Sequence, residues 1–223
     1  MFTRFDHNLL PSSGSTILRF HMPSRLLFLP GASGNTRFWQ PVADLLSHRA
    51  EKLHLGWPGF GPTSADPRVN GIDDLVAGVV ARIDRPSALI AQSMGGVIAL
   101  RAALERPDLV THLVLTVTSG GVDTSGLDIH DWRPAFHTSN PLVPRWFADY
   151  GEDLAPRLHA VGAPALLLWG NADPISPVRV GRKLASLLPR AELQVLPGGD
   201  HDLANVFAPE IAPLIDRHLS KAA

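Results

Sequence analysis

The stretch Leu89-Ile90-Ala91-Gln92-Ser93-Met94-Gly95-Gly96 decides how this chain is read. Residues 88–91 are apolar and uninterrupted, the pattern of a parallel strand buried on both faces, and residues 94–106 carry helical spacing. Ser93 therefore stands at a strand-to-helix corner. So tight a corner needs small residues two places before and two after it, because larger side chains there would collide with neighbouring backbone. Ala91 and Gly95 meet that need. The turn pushes the hydroxyl of Ser93 outward at a helix N-terminus, where the partial positive charge of the helix favours an anion. A serine that only caps a buried helix leaves the same letters, so the rest of the chain has to agree.

Working outward, residues 26–29, 113–117 and 165–169 repeat the buried-strand pattern, and 17–20, 53–55 and 193–196 are weaker candidates. Amphipathic segments of helix length lie between them at 38–48, 74–82, 178–188 and 207–219. Strand and helix alternate, which predicts right-handed crossovers and an α/β fold. The expected architecture is one domain over residues 1–223, a mostly parallel sheet of six to eight strands with helices on both faces and the site at the strands' carboxyl ends. Residues 121–162 break the rhythm. They hold Pro134, Pro141, Pro144 and Pro156 among Trp132, Phe136, Trp146, Phe147 and Tyr150, and predict a small lid insertion with short helices of its own.

Composition excludes several classes. With 20 Lys+Arg against 21 Asp+Glu there is no field to attract nucleic acid or anionic lipid. No window approaches the roughly 20 apolar residues of a membrane span. The absence of cysteine removes disulfides, thiolate nucleophiles and cysteine-held metals. The opening stretch carries Asp6 early and has no continuous apolar run of the secretory kind, so a soluble, cytoplasmic protein is expected. Asp128, His130, Asp131 and His137 crowd the insertion as conceivable metal ligands, but solvated lid residues have the same composition, and no metal or other cofactor is expected. A small-molecule partner and a monomer or weak homodimer complete the expectation.

The corner at Ser93 resembles the G-x-S-x-G turn of the α/β-hydrolase superfamily, with Ala91 in place of the first glycine. That family orders its parts as nucleophile, acid, histidine, and each has a counterpart here. Gly170-Asn171-Ala172-Asp173 after residues 165–169 resembles its G-x-x-D turn and implies Asp173 as the acid. Leu196-Pro197-Gly198-Gly199-Asp200-His201 resembles the loop that presents the catalytic histidine, implying His201 as the base, although Asp200 stands where glycine is frequent. Some relatives carry the acid one strand earlier, where Asp123 is the alternative. Pro30-Gly31-Ala32-Ser33-Gly34 is similar to the H-G-x turn, with Pro30 replacing histidine, and implies backbone N–H groups of Ala32 and Met94 as the oxyanion hole. Gly56-Trp57-Pro58-Gly59-Phe60-Gly61 resembles the family's D-x-P-G-x-G loop without its aspartate and is expected to be a rigid structural turn.

Three such residues are wanted because a serine hydroxyl is a poor nucleophile at neutral pH. An imidazole takes its proton and returns it to the leaving group, while a carboxylate fixes the imidazole's tautomer. The resemblance implies a serine carboxylesterase with a small lid, similar to esterases acting on carrier-protein methyl esters. The apolar insertion points to small or medium esters, with Gly31, Trp132, Phe136, Trp146 and Phe147 expected around the substrate. A thioesterase, a carbon–carbon bond hydrolase, a cofactor-free perhydrolase and a slow-turnover ligand receptor share these residues and stay open.

Overall fold

The computed structural model describes residues 22–127, 129 and 131–222. Asp6, the candidate strand at 17–20, Asp128 and His130 lie outside the described residues.

Six strands form one sheet: β1 (Arg25–Leu29), β2 (Glu51–His54), β3 (Ser87–Gln92), β4 (Val110–Thr116), β5 (Ala165–Gly170) and β6 (Ala191–Leu196). Their order is β2-β1-β3-β4-β5-β6, and each adjacent pair is parallel. Strands β3, β4 and β5 are buried at every residue, as continuous apolar runs in a doubly covered sheet must be, whereas the edge strands β2 and β6 alternate or open to solvent. The helices are α1 (Gln40–Leu45), α2 (Ile72–Val80), α3 (Met94–Glu105), α4 (Arg133–Ser139), α5 (Val178–Leu187), α6 (Leu203–Val206) and α7 (Ala208–Leu219). Helices α1, α6 and α7 pack as one group, α2 packs on α3, and α5 packs against β5 and β6, so that helices flank the sheet. None of the described helices is long and apolar enough to cross a membrane.

The strand order reverses between β1 and β3: the chain steps outward from β1 to β2, then returns to the other side of β1 and continues away from it. A crevice opens at such a reversal, outside the strands' carboxyl ends. The register gathers those ends at one level, with Leu29 opposite Ala91, Gln92 opposite Thr116, Thr116 opposite Leu168 and Gly170 opposite Leu196. The loops that follow β1, β3, β4, β5 and β6 therefore share one edge of the sheet.

Two expected segments end differently, for local reasons. Strand β4 stops at Thr116 because Val117 turns into the left-handed region at φ 44°, a costly conformation for a β-branched residue. Helix α1 covers only part of 38–48, since Leu46 is extended and the N–H groups of Ser47 and His48 bond the Asp216 carboxylate of α7 at 2.9 and 3.2 Å. The insertion at 121–162 contains no strand among its described residues; it holds α4 and three 3₁₀ turns, at Ser125–Leu127, Arg145–Phe147 and Ala155–Ala160. It is stapled at its base, where the Leu154 N–H donates to the Gly121 carbonyl (2.8 Å) and the Asp123 N–H to the Asp153 carboxylate (3.2 Å).

Candidate active site

Ser93 is held at φ 53° and ψ −122°, a strained conformation for a residue with a side chain. Its N–H donates to the Thr116 carbonyl at 3.0 Å, tying the corner to β4. The glycines after it allow α3 to come close. A Cβ on Gly95 would lie 2.6 Å from the Pro30 carbonyl oxygen, and one on Gly96 2.5 Å from Thr118 Oγ1. The helix can thus start at Met94, directly under the Ser93 hydroxyl.

Two further loops converge on that hydroxyl. A Cβ on Gly170 would lie 2.0 Å from the Gly199 carbonyl oxygen, so the end of β5 and the loop after β6 pack backbone against backbone. The Ala172 N–H donates to that same carbonyl at 2.9 Å, and the Gly198 N–H to Asn171 Oδ1 at 2.7 Å. This contact brings Asp173 and His201 together. His201 Nδ1 lies 2.8 Å from Asp173 Oδ2, and His201 Nε2 lies 3.1 Å from Ser93 Oγ. The Asp173 carboxylate has no solvent exposure, and its other oxygen accepts the N–H groups of Ile175 at 2.7 Å and Ser176 at 3.0 Å. Those donors satisfy a buried charge that would otherwise be costly. Asp123 is elsewhere engaged. Its carboxylate accepts the N–H (2.9 Å) and hydroxyl (3.0 Å) of Ser125.

The loop after β1 is pinned by two indoles. Trp39 Nε1 donates to the Leu29 carbonyl at 3.1 Å and Trp57 Nε1 to the Pro30 carbonyl at 3.0 Å. Its tip meets the loop at 56–61 through glycines, since a Cβ on Gly34 would lie 2.6 Å from the Phe60 backbone and one on Gly61 2.6 Å from the Ser33 oxygen. Ala32, Ser93, Met94 and His201 all line a cavity of about 720 Å³ that the insertion roofs.

Of the expected substrate contacts, Trp132, Phe136 and Phe147 line this cavity, but Trp146 and Gly31 do not. Trp146 packs behind, edge to face on Phe60 at 5.5 Å, and Gly31 is covered by Gln92, whose Oε1 would lie 2.2 Å from a Cβ there. Among the described residues no group of three or more His, Asp or Glu is placed to hold a metal ion. Sequence reasoning missed Trp57 and Gln92. Gln92 lines the cavity and donates from Nε2 to the His201 carbonyl at 3.3 Å, and its place before Ser93 at the end of a buried strand was the available signal.

These features are those of a hydrolase built on a doubly wound sheet. The model of the alpha/beta hydrolase family matches residues 26–160, and the chain belongs to that family. It is similar to an uncharacterized hydrolase, YugF, of Bacillus subtilis (strain 168), at 26% identity over 82% of this chain and 83% of that protein. It is also similar to a pimeloyl-[acyl-carrier protein] methyl ester esterase of Nitrosomonas europaea, at 23% identity over 79% of this chain and 88% of that one. Among solved structures, a thermophilic esterase from Thermogutta terrifontis shares the fold with a TM-score of 0.71, at 19% identity over 87% of this chain and 89% of that chain.

Proposed function

We propose that this chain is a serine hydrolase that cleaves small or medium carboxylic esters through an acyl-enzyme intermediate. The observation that carries the proposal is the unbroken line from Ser93 Oγ through His201 to the buried Asp173 carboxylate, with separations of 3.1 and 2.8 Å. In this reading His201 Nε2 takes the Ser93 proton as Oγ attacks the ester carbonyl, and returns it to the departing alcohol. Water then repeats the cycle on the acyl-enzyme. Asp173 holds the Nδ1–H tautomer and stabilises the imidazolium that forms. The N–H groups of Ala32 and Met94 face the oxygen that becomes negative, aided by the N-terminus of α3. Trp132, Phe136 and Phe147 contribute the apolar wall for the acyl or alcohol chain. Similarity to a methyl ester esterase supports an ester among the carbonyl substrates open to this machinery.

A panel of p-nitrophenyl esters and matched thioesters of graded chain length tests the proposal. Repeated turnover of the esters, lost in Ser93→Ala, is expected. Stoichiometric labelling of Ser93 without turnover would instead make the protein a receptor that reacts once.

A further inference from the structure

The cavity beside Ser93 carries an uneven charge. Asp123, Asp131, Glu152, Asp153 and Asp202 line it, and Arg133 is the one guanidinium or ammonium group among its described lining residues. That arginine is already committed. Its Nη1 lies 3.1 Å from the Asp131 carboxylate, its Nε donates to the Ala148 carbonyl at 3.0 Å, and its guanidinium sits 5.5 Å over the Trp132 ring. Glu152 is paired with Arg157 and lies 3.6 Å from Arg101, neither of which lines the cavity. The Asp123 carboxylate accepts from Ser125, and the Lys183 ammonium, which does not line the cavity, donates to the Asp123 backbone carbonyl at 2.6 Å. Among the described residues the Asp153 and Asp202 carboxylates form no ion pair, accepting from the Asp123 and Ala155 N–H groups and from Asn205, respectively. The bonds from Ser125 hold the Asp123 carboxyl below its ordinary range, so it is ionised at neutral pH.

We propose that this lining makes the site selective by charge: it accepts esters that are neutral or carry an amine and rejects esters with a second carboxylate. The physical reason is twofold. A substrate carboxylate entering the crevice meets like charges on its solvent-exposed rim, where Asp123, Asp131, Glu152, Asp153 and Asp202 stand beside apolar walls. It also finds no described cation in the lining that is free to pair with it, so its lost hydration is not replaced. An ammonium group meets the opposite field, in a cavity that Phe136 and Phe147 also line.

The inference rests on the proposed hydrolase reading for its ester arm, so the test has two arms. The first compares kcat/KM for methyl pentanoate, monomethyl glutarate and methyl 5-aminopentanoate, which share a leaving group and a chain length. At low ionic strength the monoacid ester should be slower than the neutral one by about tenfold or more, and the amino ester at least as fast as the neutral one. Because exposed charges are screened by salt, the penalty should shrink to about threefold or less near 0.5 M salt. Asp123→Asn should narrow the gap at low salt. The second arm needs no turnover: binding of pentanamide, glutaramate and 5-aminopentanamide is followed by the fluorescence of Trp132, with Trp132→Phe as the control. The same ranking is expected. If the amides rank as stated and no ester is cleaved, the hydrolase reading fails and the charge selection stands. If glutaramate binds as tightly as pentanamide, or monomethyl glutarate is cleaved as fast as methyl pentanoate, the charge selection is wrong.

Discussion

The edge of the sheet that bears Ser93 and the insertion above it are built by different means. At the edge, positions are set by backbone: the left-handed turn at Ser93, the contact of Gly95 with the Pro30 carbonyl, and the contact of Gly170 with Gly199. In the insertion they are set by side chains. Phe147 packs against Phe60 at 5.7 Å, Phe136 at 5.3 Å and Trp132 at 5.9 Å, and half-exposed pairs such as Arg157 with Glu152 add little. A backbone-built edge holds reacting groups to fractions of an ångström, whereas a roof of side chains can change its shape at small cost. On the proposed reading, chemistry belongs to the first region and selectivity to the second.

The largest effects should come from the edge. Ser93→Ala and His201→Ala are each expected to lower kcat by about 10⁴-fold or more, and the double variant to be little worse, because such residues act as a unit. Steady-state rates on p-nitrophenyl butyrate, with circular dichroism to show folding, measure this. Next comes the acid. Asp173→Asn should cost at least about 10²-fold in kcat, since an amide no longer holds the imidazole tautomer, while Asp123→Asn should stay within about threefold on the same neutral ester. A reversed pair of results would move the acid to Asp123 and break the division at its boundary, as Asp123 opens the insertion.

Much of the edge was legible in the sequence, and the reasons are physical. Buried parallel strands must be continuously apolar, which exposed β3, β4 and β5, and a sharp strand-to-helix turn must have small neighbours, which exposed Ser93. The G-x-x-D turn and the Gly-Gly before Asp200 were visible as letters, but their mutual contact was not: it depends on β5 and β6 being adjacent and in register. The indole of Trp57 on the Pro30 carbonyl was hidden for the same reason, since 27 positions separate them. The insertion was legible only as a break in rhythm. Aromatic residues announce burial without direction, so the sequence places Trp146 at the cavity wall, whereas in the structure it packs on Phe60 and does not line the cavity.

Smaller effects sharpen the comparison from the insertion's side. Trp132→Ala should raise KM for p-nitrophenyl butyrate severalfold and leave kcat for the acetate within about twofold, because it removes wall and leaves the reacting groups in place. Equal losses in kcat for both esters would mean the insertion positions the chemistry as well. Acid sensitivity of the fold, in contrast, should arise away from both regions, under the sheet. Burial pushes His218 of α7 down to about 4 and also lowers His112, whose ring it meets edge to face at 5.3 Å. The unfolded chain then takes up protons first as pH falls, so the stability tied to His218 is complete above about pH 6.5 and is lost progressively towards pH 4. Between pH 7.5 and 5 this amounts to about 2 kcal/mol for His218, and urea denaturation at both values should show His218→Leu to be less acid-sensitive than the wild type.

The most direct test of the account is the identity of the residue that carries the acyl group. The protein is treated with a neutral fluorophosphonate, which traps an activated serine, and the modified peptide is mapped by mass spectrometry. One adduct per chain on Ser93, formed in step with loss of esterase activity and slowed by His201→Ala, is the predicted result. An adduct on a different residue, or full esterase activity in protein whose Ser93 is completely modified, contradicts the account.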